Sequence, residues 1–260
     1  RRRAALRRSN FLTRKPLMSI ALSVLLEICI DSIASATAAK AGGADRLEVC
    51  SALAIEGTTP SFGLVEQCVN DLQMPSMMMI RPHDGGFVYD KDHVVTMLKN
   101  IKVARSIGVQ GIVFGALTHQ RELDRETCQR LIDAAGPLET TFHRAFDVVP
   151  DPLAVLDQLE SLGINRVLTS GQQATALAGA PLIRKLTDQA TSIKVVAGVG
   201  VDSENALQLV AQTGVQEIHA SACVPAKDEQ ALGDVSFGSQ RRVTCSDRVR
   251  AIKDAITNSP

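Results

Sequence analysis

Short apolar runs recur along the chain and alternate with longer stretches in which the apolar residues follow a helical spacing. A run of about four to eight apolar residues between turn residues is typical of a buried strand, and an apolar stripe at every third or fourth position is typical of a helix. The pattern predicts strands over Val24–Ile30, Arg46–Cys50, Ser76–Ile80, Gln110–Phe114, Glu139–His143, Arg166–Thr169, Ile193–Ala197 and Glu217–Ala220. It predicts intervening helices over Ser32–Ala41, Gly63–Leu72, Val94–Ile107, Asp124–Ala135, Pro152–Leu162, Ala180–Gln189 and Ser203–Gln212.

The residues at the ends of the predicted helices agree with this pattern. Glycines such as Gly108, Gly136 and Gly163 follow the helices, where a left-handed cap is favoured. Strands that alternate with helices pair in parallel through right-handed crossovers, and eight such units in about 200 residues fit a small closed barrel. We therefore predict an α/β protein, a (β/α)₈ TIM barrel in a single domain. An open, doubly wound sheet is the alternative.

The two ends of the chain fall outside the repeating pattern. Residues 1–16 carry seven Lys or Arg and no acid, so the remaining residues carry 21 basic side chains against 28 acidic ones. We interpret residues 1–20 as a basic, flexible extension, with an Arg-rich targeting segment as the alternative. The barrel is predicted over 21–224. An irregular excursion from Pro225 to Val243 and a C-terminal helix over Cys245–Thr257 are predicted within 225–260.

Two neighbouring strands share a four-residue pattern. Leu26-Glu27-Ile28-Cys29 recurs as Leu47-Glu48-Val49-Cys50. Residues two apart in a strand lie on one face, so Glu and Cys share a face and the aliphatic residues share the other. A carboxylate facing the helix layer would be costly to bury. We therefore predict that Glu and Cys point into the barrel, with Cys nearer the C-terminal rim.

The two inward cysteines are a predicted metal site. Cys29 and Cys50 lie on adjacent strands, which are about 4.8 Å apart in a sheet. Thiolate and thioether sulfur favour Cu(I), and Met77 and Met79 on the third strand offer thioether sulfur. We hypothesise a Cu(I) site at Cys29 and Cys50. The alternative is that both thiols are small core residues.

Polar residues gather where the predicted strands end, and the active sites of barrels form at that end. The arginines and the glycine-rich turn after the seventh strand favour a small anion, with these ligand residues: Arg81, Arg144, Gly198, Gly200, His219 and Ser170. Three side chains are candidates for moving protons in such a site: His143, Asp147 and Glu48. The sequence has no Ser-His-Asp spacing, nucleophile elbow or metalloprotease motif, so it assigns no reaction.

Arg81 is expected to neutralise the inward carboxylates. Alternation places Arg81 on the inner face of the third strand with Met77 and Met79. An unpaired charge in that position would be expensive, whereas a paired one can persist. We predict that Arg81 contacts Glu27 or Glu48 at about 3 Å.

Composition narrows the class of partner. The chain has no Trp and one Tyr, which leaves little aromatic surface for stacking on nucleic acid. No stretch is long and apolar enough to cross a bilayer, so neither nucleic acid nor a membrane is an expected partner. The six cysteines form no C-x-x-C pair and no zinc-finger spacing, which is typical of reduced thiols in a cytoplasmic protein.

From about Leu26 to Ala222 the chain resembles the CutC family. The resemblance is carried by LEICIDS at 26–32, GGADRLEVCS at 42–51, GTTPS at 57–61, MIRP at 79–82, TFHRAFD at 141–147, LTSGQ at 168–172 and HASA at 219–222. It implies a (β/α)₈ barrel, a cytoplasmic setting, a homo-oligomer and a role in copper homeostasis. In the family, copper is attributed to the cysteines that match Cys29 and Cys50.

The resemblance assigns no catalytic reaction, so the sequence predicts a copper-binding protein and leaves open whether it is also an enzyme. A barrel enzyme or sensor that acts on a small anionic, phosphorylated metabolite is the alternative. One position departs from the family pattern. The turn after the seventh strand has Val199 where the family usually has a third glycine.

Overall fold

A computed structural model describes residues 24–226 and 241–257 of the chain. Within them, parallel strands close into a barrel in the order of the sequence, with the last strand paired to the first. The strands are β1 Leu25–Ile30, β2 Arg46–Val49, β3 Ser76–Met79, β4 Gly111–Phe114, β5 Glu139–Phe142, β6 Arg166–Thr169, β7 Lys194–Gly198 and β8 Glu217–Ala220. The predicted (β/α)₈ barrel is confirmed, and the open sheet is excluded because β1 pairs with β8.

Helices connect the strands and cover the outside of the barrel. They are α1 Ile33–Gly42, α2 Phe62–Glu66, α3 Lys91–Ile107, α4 Arg125–Ala135, α5 Pro152–Ser161, α6 Ala180–Gln189, α7 Ala206–Thr213 and, after the barrel, α8 Ser246–Thr257. A π-helical turn, Gln67–Asp71, continues α2. The last barrel helix begins three residues later than predicted, because Asp202 Oδ1 accepts the N–H groups of Glu204 and Asn205 in a turn before α7. No helix in the described ranges is long and apolar enough to cross a membrane.

Alternation along the strands separates two environments. In β1, Leu26, Ile28 and Ile30 are fully buried in the apolar layer between the barrel and the helices. Glu27 and Cys29 take the opposite, inner face, as the repeated sequence pattern predicts. The main apolar core therefore lies outside the strands, and the inside of the barrel is free to carry polar chemistry.

The N-terminal half of the barrel interior holds a chain of ion pairs. Arg46 donates from Nε to Glu27 at 2.5 Å and from Nη2 to Glu217 at 2.6 Å. Arg166 donates to Glu217 at 2.8 Å and to Glu139 at 2.7 Å. Each charge in this layer has an opposite charge in contact, which is the condition under which buried ions persist.

The predicted contact between Arg81 and an inward carboxylate is wrong. Strand pairing sets Glu48 beside Met77, so Arg81 lies four residues further along the chain and beyond the C-terminal end of β3. Its guanidinium instead donates to four backbone carbonyls, two in the loop after β2 and two in the loop after β3. These carbonyls belong to Ile55, Gly57, Asp84 and Gly85, at 2.8–2.9 Å.

The tail is more regular than predicted. At the two ends of the predicted irregular excursion, Cys223–Pro225 forms β9 and Arg242–Thr244 forms β10, and the two strands pair antiparallel. The predicted C-terminal helix is α8. The predicted N-terminal extension, 1–20, and residues 227–240 of the excursion lie outside the described residues.

Candidate functional site

A cavity of about 720 Å³ opens at the C-terminal ends of the barrel strands. This is the end at which parallel strands present their last inward side chains, so residues that are distant in sequence meet there. The cavity is lined by polar and apolar side chains together, including Cys29, Glu48, Met79, His143, Leu168 and His219.

A thiol, a carboxylate and an imidazole meet in the cavity. Ligand atoms of Cys29, Glu48 and His219 all lie within 4.8 Å of one another. Strand register explains the cluster, because Cys29 pairs with Glu48 across β1 and β2 while Glu27 pairs with His219 across β1 and β8. The His219 ring lies between two acids, with Nδ1 at 2.8 Å from Glu27 Oε1 and Nε2 at 3.8 Å from Glu48 Oε2.

The charges of this cluster follow from burial and from Arg46. Burial favours a neutral Glu27, but the contacts with Arg46 and His219 outweigh it and lower the pKa of Glu27 to about 2. Burial likewise disfavours a charged His219, yet the acidic groups Glu48, Cys29 and Glu27 hold its pKa well above the usual range. Burial raises the pKa of Glu48. The nearby His219, which lowers it, is already paired with Glu27.

The two predicted thiols have different surroundings. Cys29 lines the cavity, with Sγ 3.7 Å from the carbonyl of Ala220, and burial raises the pKa of its thiol. Cys50 is fully buried in a small apolar cluster with Met77 and Met79, and it is not among the residues that line the cavity. Its Sγ lies 3.4 Å from Glu48 Oε2, which belongs to the cluster above.

His143 directly follows β5 and forms part of the cavity wall. Its Nδ1 accepts the N–H of Ala145 at 3.2 Å, which leaves the proton of the neutral ring on Nε2. Burial, followed by the charges of Arg81 and Arg144, lowers the pKa of His143 to about 3. A Cβ at Gly115 would collide with the His143 ring, so a glycine is required at that position.

A model of the CutC family matches residues 24–224, a range that includes all eight barrel strands. The chain belongs to the CutC family. Among its relatives, family protein CutC of Pasteurella multocida is 47% identical over 197 residues, covering 75% of this chain and 81% of that protein. The human copper homeostasis protein cutC homolog is 40% identical over 231 residues, covering 88% of this chain and 85% of that protein.

Solved structures agree with this family assignment. A crystal structure described as copper homeostasis protein CutC from Streptococcus agalactiae matches with a TM-score of 0.73 and 32% identity. The match covers 76% of this chain and 98% of that one. Thiamine phosphate pyrophosphorylase from Pyrococcus furiosus matches with a TM-score of 0.57 at 16% identity, which shows a shared fold alone.

In this CutC-family barrel, the strand ends bring together only some of the residues predicted for the site. The cavity is lined by these: Cys29, Glu48, Arg81, His143, Arg144, Gly200 and His219. Asp147 and Ser170 are not in the lining and bond to each other, because Asp147 accepts the N–H and hydroxyl of Ser170 at 3.0 and 3.1 Å. Arg144 is already paired with Glu56 at 2.8 Å and with Asp147 at 3.0 Å.

Two features of the CutC-family site were not predicted. Glu27 is the partner of His219, a contact that needs β1 and β8 to be neighbours and therefore leaves no local signal in the sequence. Phe87, in the loop after β3, lies in the wall with its ring 5.0 Å from the His143 ring.

Gly198 does not line the cavity, but a Cβ there would come within 2.8 Å of Leu168, so its role is to leave space.

Proposed function

We propose that this CutC-family chain takes part in copper homeostasis by binding Cu(I) in the barrel cavity. Cys29 Sγ and His219 Nε2 are the proposed principal ligands, with Cys50 as a further thiol. The human relative is called a copper homeostasis protein homolog, which supports the copper role. The observation that carries the proposal is the approach of Cys29, Glu48 and His219 ligand atoms to within 4.8 Å inside a buried cavity.

The donor chemistry favours Cu(I) over harder metals. Thiolate and imidazole are ligands of soft and borderline metals, whereas magnesium and calcium prefer sites made of oxygen atoms. Cys29 and His219 supply sulfur and nitrogen, and Glu48 is the single carboxylate of the cluster. Cys50 Sγ lies 3.4 Å from Glu48 Oε2, the oxygen that His219 Nε2 also faces, and Met79 adds a thioether to the lining.

Glu27 is proposed to orient the imidazole. Metal-binding histidines usually hold a carboxylate or carbonyl through the nitrogen that faces away from the ion. Glu27 Oε1 lies 2.8 Å from His219 Nδ1, and Arg46 holds the other oxygen of Glu27. This arrangement leaves Nε2 as the nitrogen that faces Glu48, where a bound ion would take the place of its proton.

Competition with a chromophoric Cu(I) chelator tests the proposal, using the reduced full-length chain. Glu27→Gln removes the group that orients a ligand and is expected to weaken Cu(I) binding by about 10–100-fold. Cys29→Ser removes a ligand itself and is expected to weaken Cu(I) binding by more than that. Cys128→Ser is the matched control, since Cys128 is a buried thiol on α4 that contacts the carbonyl of Ala116 and does not line the cavity. If Cys29→Ser and Cys128→Ser bind Cu(I) equally well, the ion is not held here.

We also propose a cytoplasmic setting and a homo-oligomer, both of which the family resemblance implies. All six cysteines are unpaired, which fits a reducing compartment. Light scattering after size-exclusion chromatography measures the mass of the assembly. A mass equal to one chain across the accessible concentration range would contradict self-association.

A further inference from the structure

Arg81 is a buried cation without an acidic partner in the part of the chain that the structure describes. It is 5% exposed, and no carboxylate oxygen there lies within 4.0 Å of its guanidinium. Backbone carbonyls take its Nη protons, and its Nε–H has no hydrogen-bond partner. A buried charge is stable only with compensation, and among the described residues backbone carbonyls alone compensate this one.

His143 supplies a second unpartnered donor. It is 4% exposed, its Nδ1 is occupied by the Ala145 N–H, and its Nε2 has no hydrogen-bond partner. Because its pKa is lowered to about 3, the ring is neutral at physiological pH and Nε2 carries a proton to donate. A buried N–H without an acceptor costs free energy, which an acceptor oxygen from a ligand would recover.

The two donors belong to one wall of the cavity. The Phe87 ring contacts both, since Arg81 Cζ lies 5.6 Å and the His143 ring 5.0 Å from its centroid. All three residues line the cavity of about 720 Å³. We call Arg81, Phe87 and His143 the donor wall.

We propose that the donor wall binds the carboxylate of a small organic acid inside the cavity. Arg81 Nε and His143 Nε2 are both buried, so a side chain of the wall would move aside before their N–H groups each meet one carboxylate oxygen. The acid would then be a counter-ion for Arg81. A carboxylate offers two oxygens to two donors, whereas a phosphate would leave further charged oxygens without donors at this wall. The apolar part of the acid would lie against Phe87, Met79 and Leu168, which line the same cavity.

The size of the cavity supports an organic ligand. Sites for small molecules usually enclose about 300–1,000 Å³, and the cavity falls within that range. A single ion bound at Cys29 and His219 would occupy only a small part of it. The carboxylate site is independent of the copper proposal, because none of the residues of the donor wall is a proposed copper ligand.

Metal-free, full-length protein titrated with small carboxylic acids tests the inference. A panel of aliphatic and aromatic acids is compared with the matching primary amides and with inorganic phosphate, by calorimetry and ligand-observed NMR. We expect at least one acid to bind, and its amide to bind at least about tenfold more weakly, because the amide lacks the charge that Arg81 needs. His143→Phe is expected to weaken binding of that acid by at least about tenfold.

Two further variants protect the test against misfolding. His143→Asn retains an acceptor for the Ala145 N–H but withdraws the Nε2 donor, so it should fold and still lose the acid. His119→Asn, on an exposed loop position, is the control and should bind like the unmodified chain. The inference is overturned if no acid of the panel binds, if phosphate binds while the acids do not, or if His143→Asn binds the acid as tightly as His119→Asn. In unmodified protein, the ¹⁵N signal of His143 Nε2 should shift when the acid is added.

Discussion

At the scale of single residues, the turn after β7 is under backbone strain. Val199 has a φ of +83°, a region that L-residues rarely adopt and that a β-branched residue tolerates least. Gly200 follows with a φ of +71°, and the Val199 carbonyl accepts the N–H of Ala176 at 3.0 Å. The backbone thus requires two successive left-handed residues beside the cavity. That requirement is the physical reason for glycine at position 199 in the family pattern.

Val199→Gly should therefore stabilise the protein. Relief of the strain is worth about 1–3 kcal/mol, and the greater freedom of glycine in the unfolded chain offsets about 0.5–1 kcal/mol of it. We expect the free energy of unfolding in urea to rise by about 1 kcal/mol. Val201→Gly is the matched control, because Val201 is buried and has no left-handed backbone, so that variant should lose stability. A loss of stability in Val199→Gly would mean that the side-chain contacts outweigh the strain.

At the scale of elements, Arg81 links two loops that shape the cavity. Its guanidinium joins the loop between β2 and α2 to the loop between β3 and α3. The backbone adds to this link, since Thr59 donates its N–H to the Arg81 carbonyl at 2.9 Å and its Oγ1 accepts the Arg81 N–H at 3.0 Å. The planar arginine fork can meet four carbonyls at once, whereas a lysine ammonium has three donors at one point.

Arg81→Lys tests this link while it retains the positive charge. We expect a loss of about 3 kcal/mol in the free energy of unfolding, since at least one carbonyl pair loses bonds to a charged donor. Hydrogen exchange measured by mass spectrometry should increase in the two loops and not in the strands. Arg184→Lys is the control, because that exposed side chain pairs with Asp188 one turn along α6, where an ion pair contributes little. Equal exchange in both variants would contradict a linking role.

At the scale of the whole molecule, the barrel interior is divided into levels. The lower level is the chain of ion pairs around Arg46, and the upper level is the cavity with Cys29 and His219. Glu27 joins the levels, because one of its oxygens meets Arg46 and the other meets His219. A single carboxylate therefore joins the ion-pair layer to the proposed copper site.

Arg46→Met should destabilise the whole barrel. The substitution leaves Glu27 and Glu217 with fewer opposing charges in a buried layer, and breaking such a pair costs about 3–5 kcal/mol. Denaturant unfolding of the variant measures the loss. Adding Glu27→Gln and Glu217→Gln to the same chain should recover most of it, since the stranded charges are then removed. Arg130→Met, on the exposed face of α4, should change the free energy of unfolding by less than about 0.5 kcal/mol. A triple variant no more stable than Arg46→Met alone would place the loss in packing rather than in charge.

The local sequence pattern was sufficient to predict the strands and helices and to predict which side chains of a strand point inward. Apolar runs and turn residues predicted each of the eight strands, because a strand in this barrel must bury aliphatic side chains against the helix layer. The same alternation put Glu27, Cys29, Glu48 and Cys50 on the inner face, since their alternate neighbours are aliphatic. Both predictions depend on residues a few positions apart, which the sequence displays directly.

Tertiary structure alone decided which inward groups meet. Alternation gives the face of a side chain but not its height in the barrel, which depends on the stagger between strands. That stagger sets Arg46, not Arg81, beside Glu27, and it leaves Arg81 at the rim among backbone carbonyls. The contact between Glu27 and His219 spans 192 positions in the chain and forms only because the barrel closes β8 onto β1. Closure and stagger are properties of all eight strands together, so no local stretch of sequence could encode the site that they assemble.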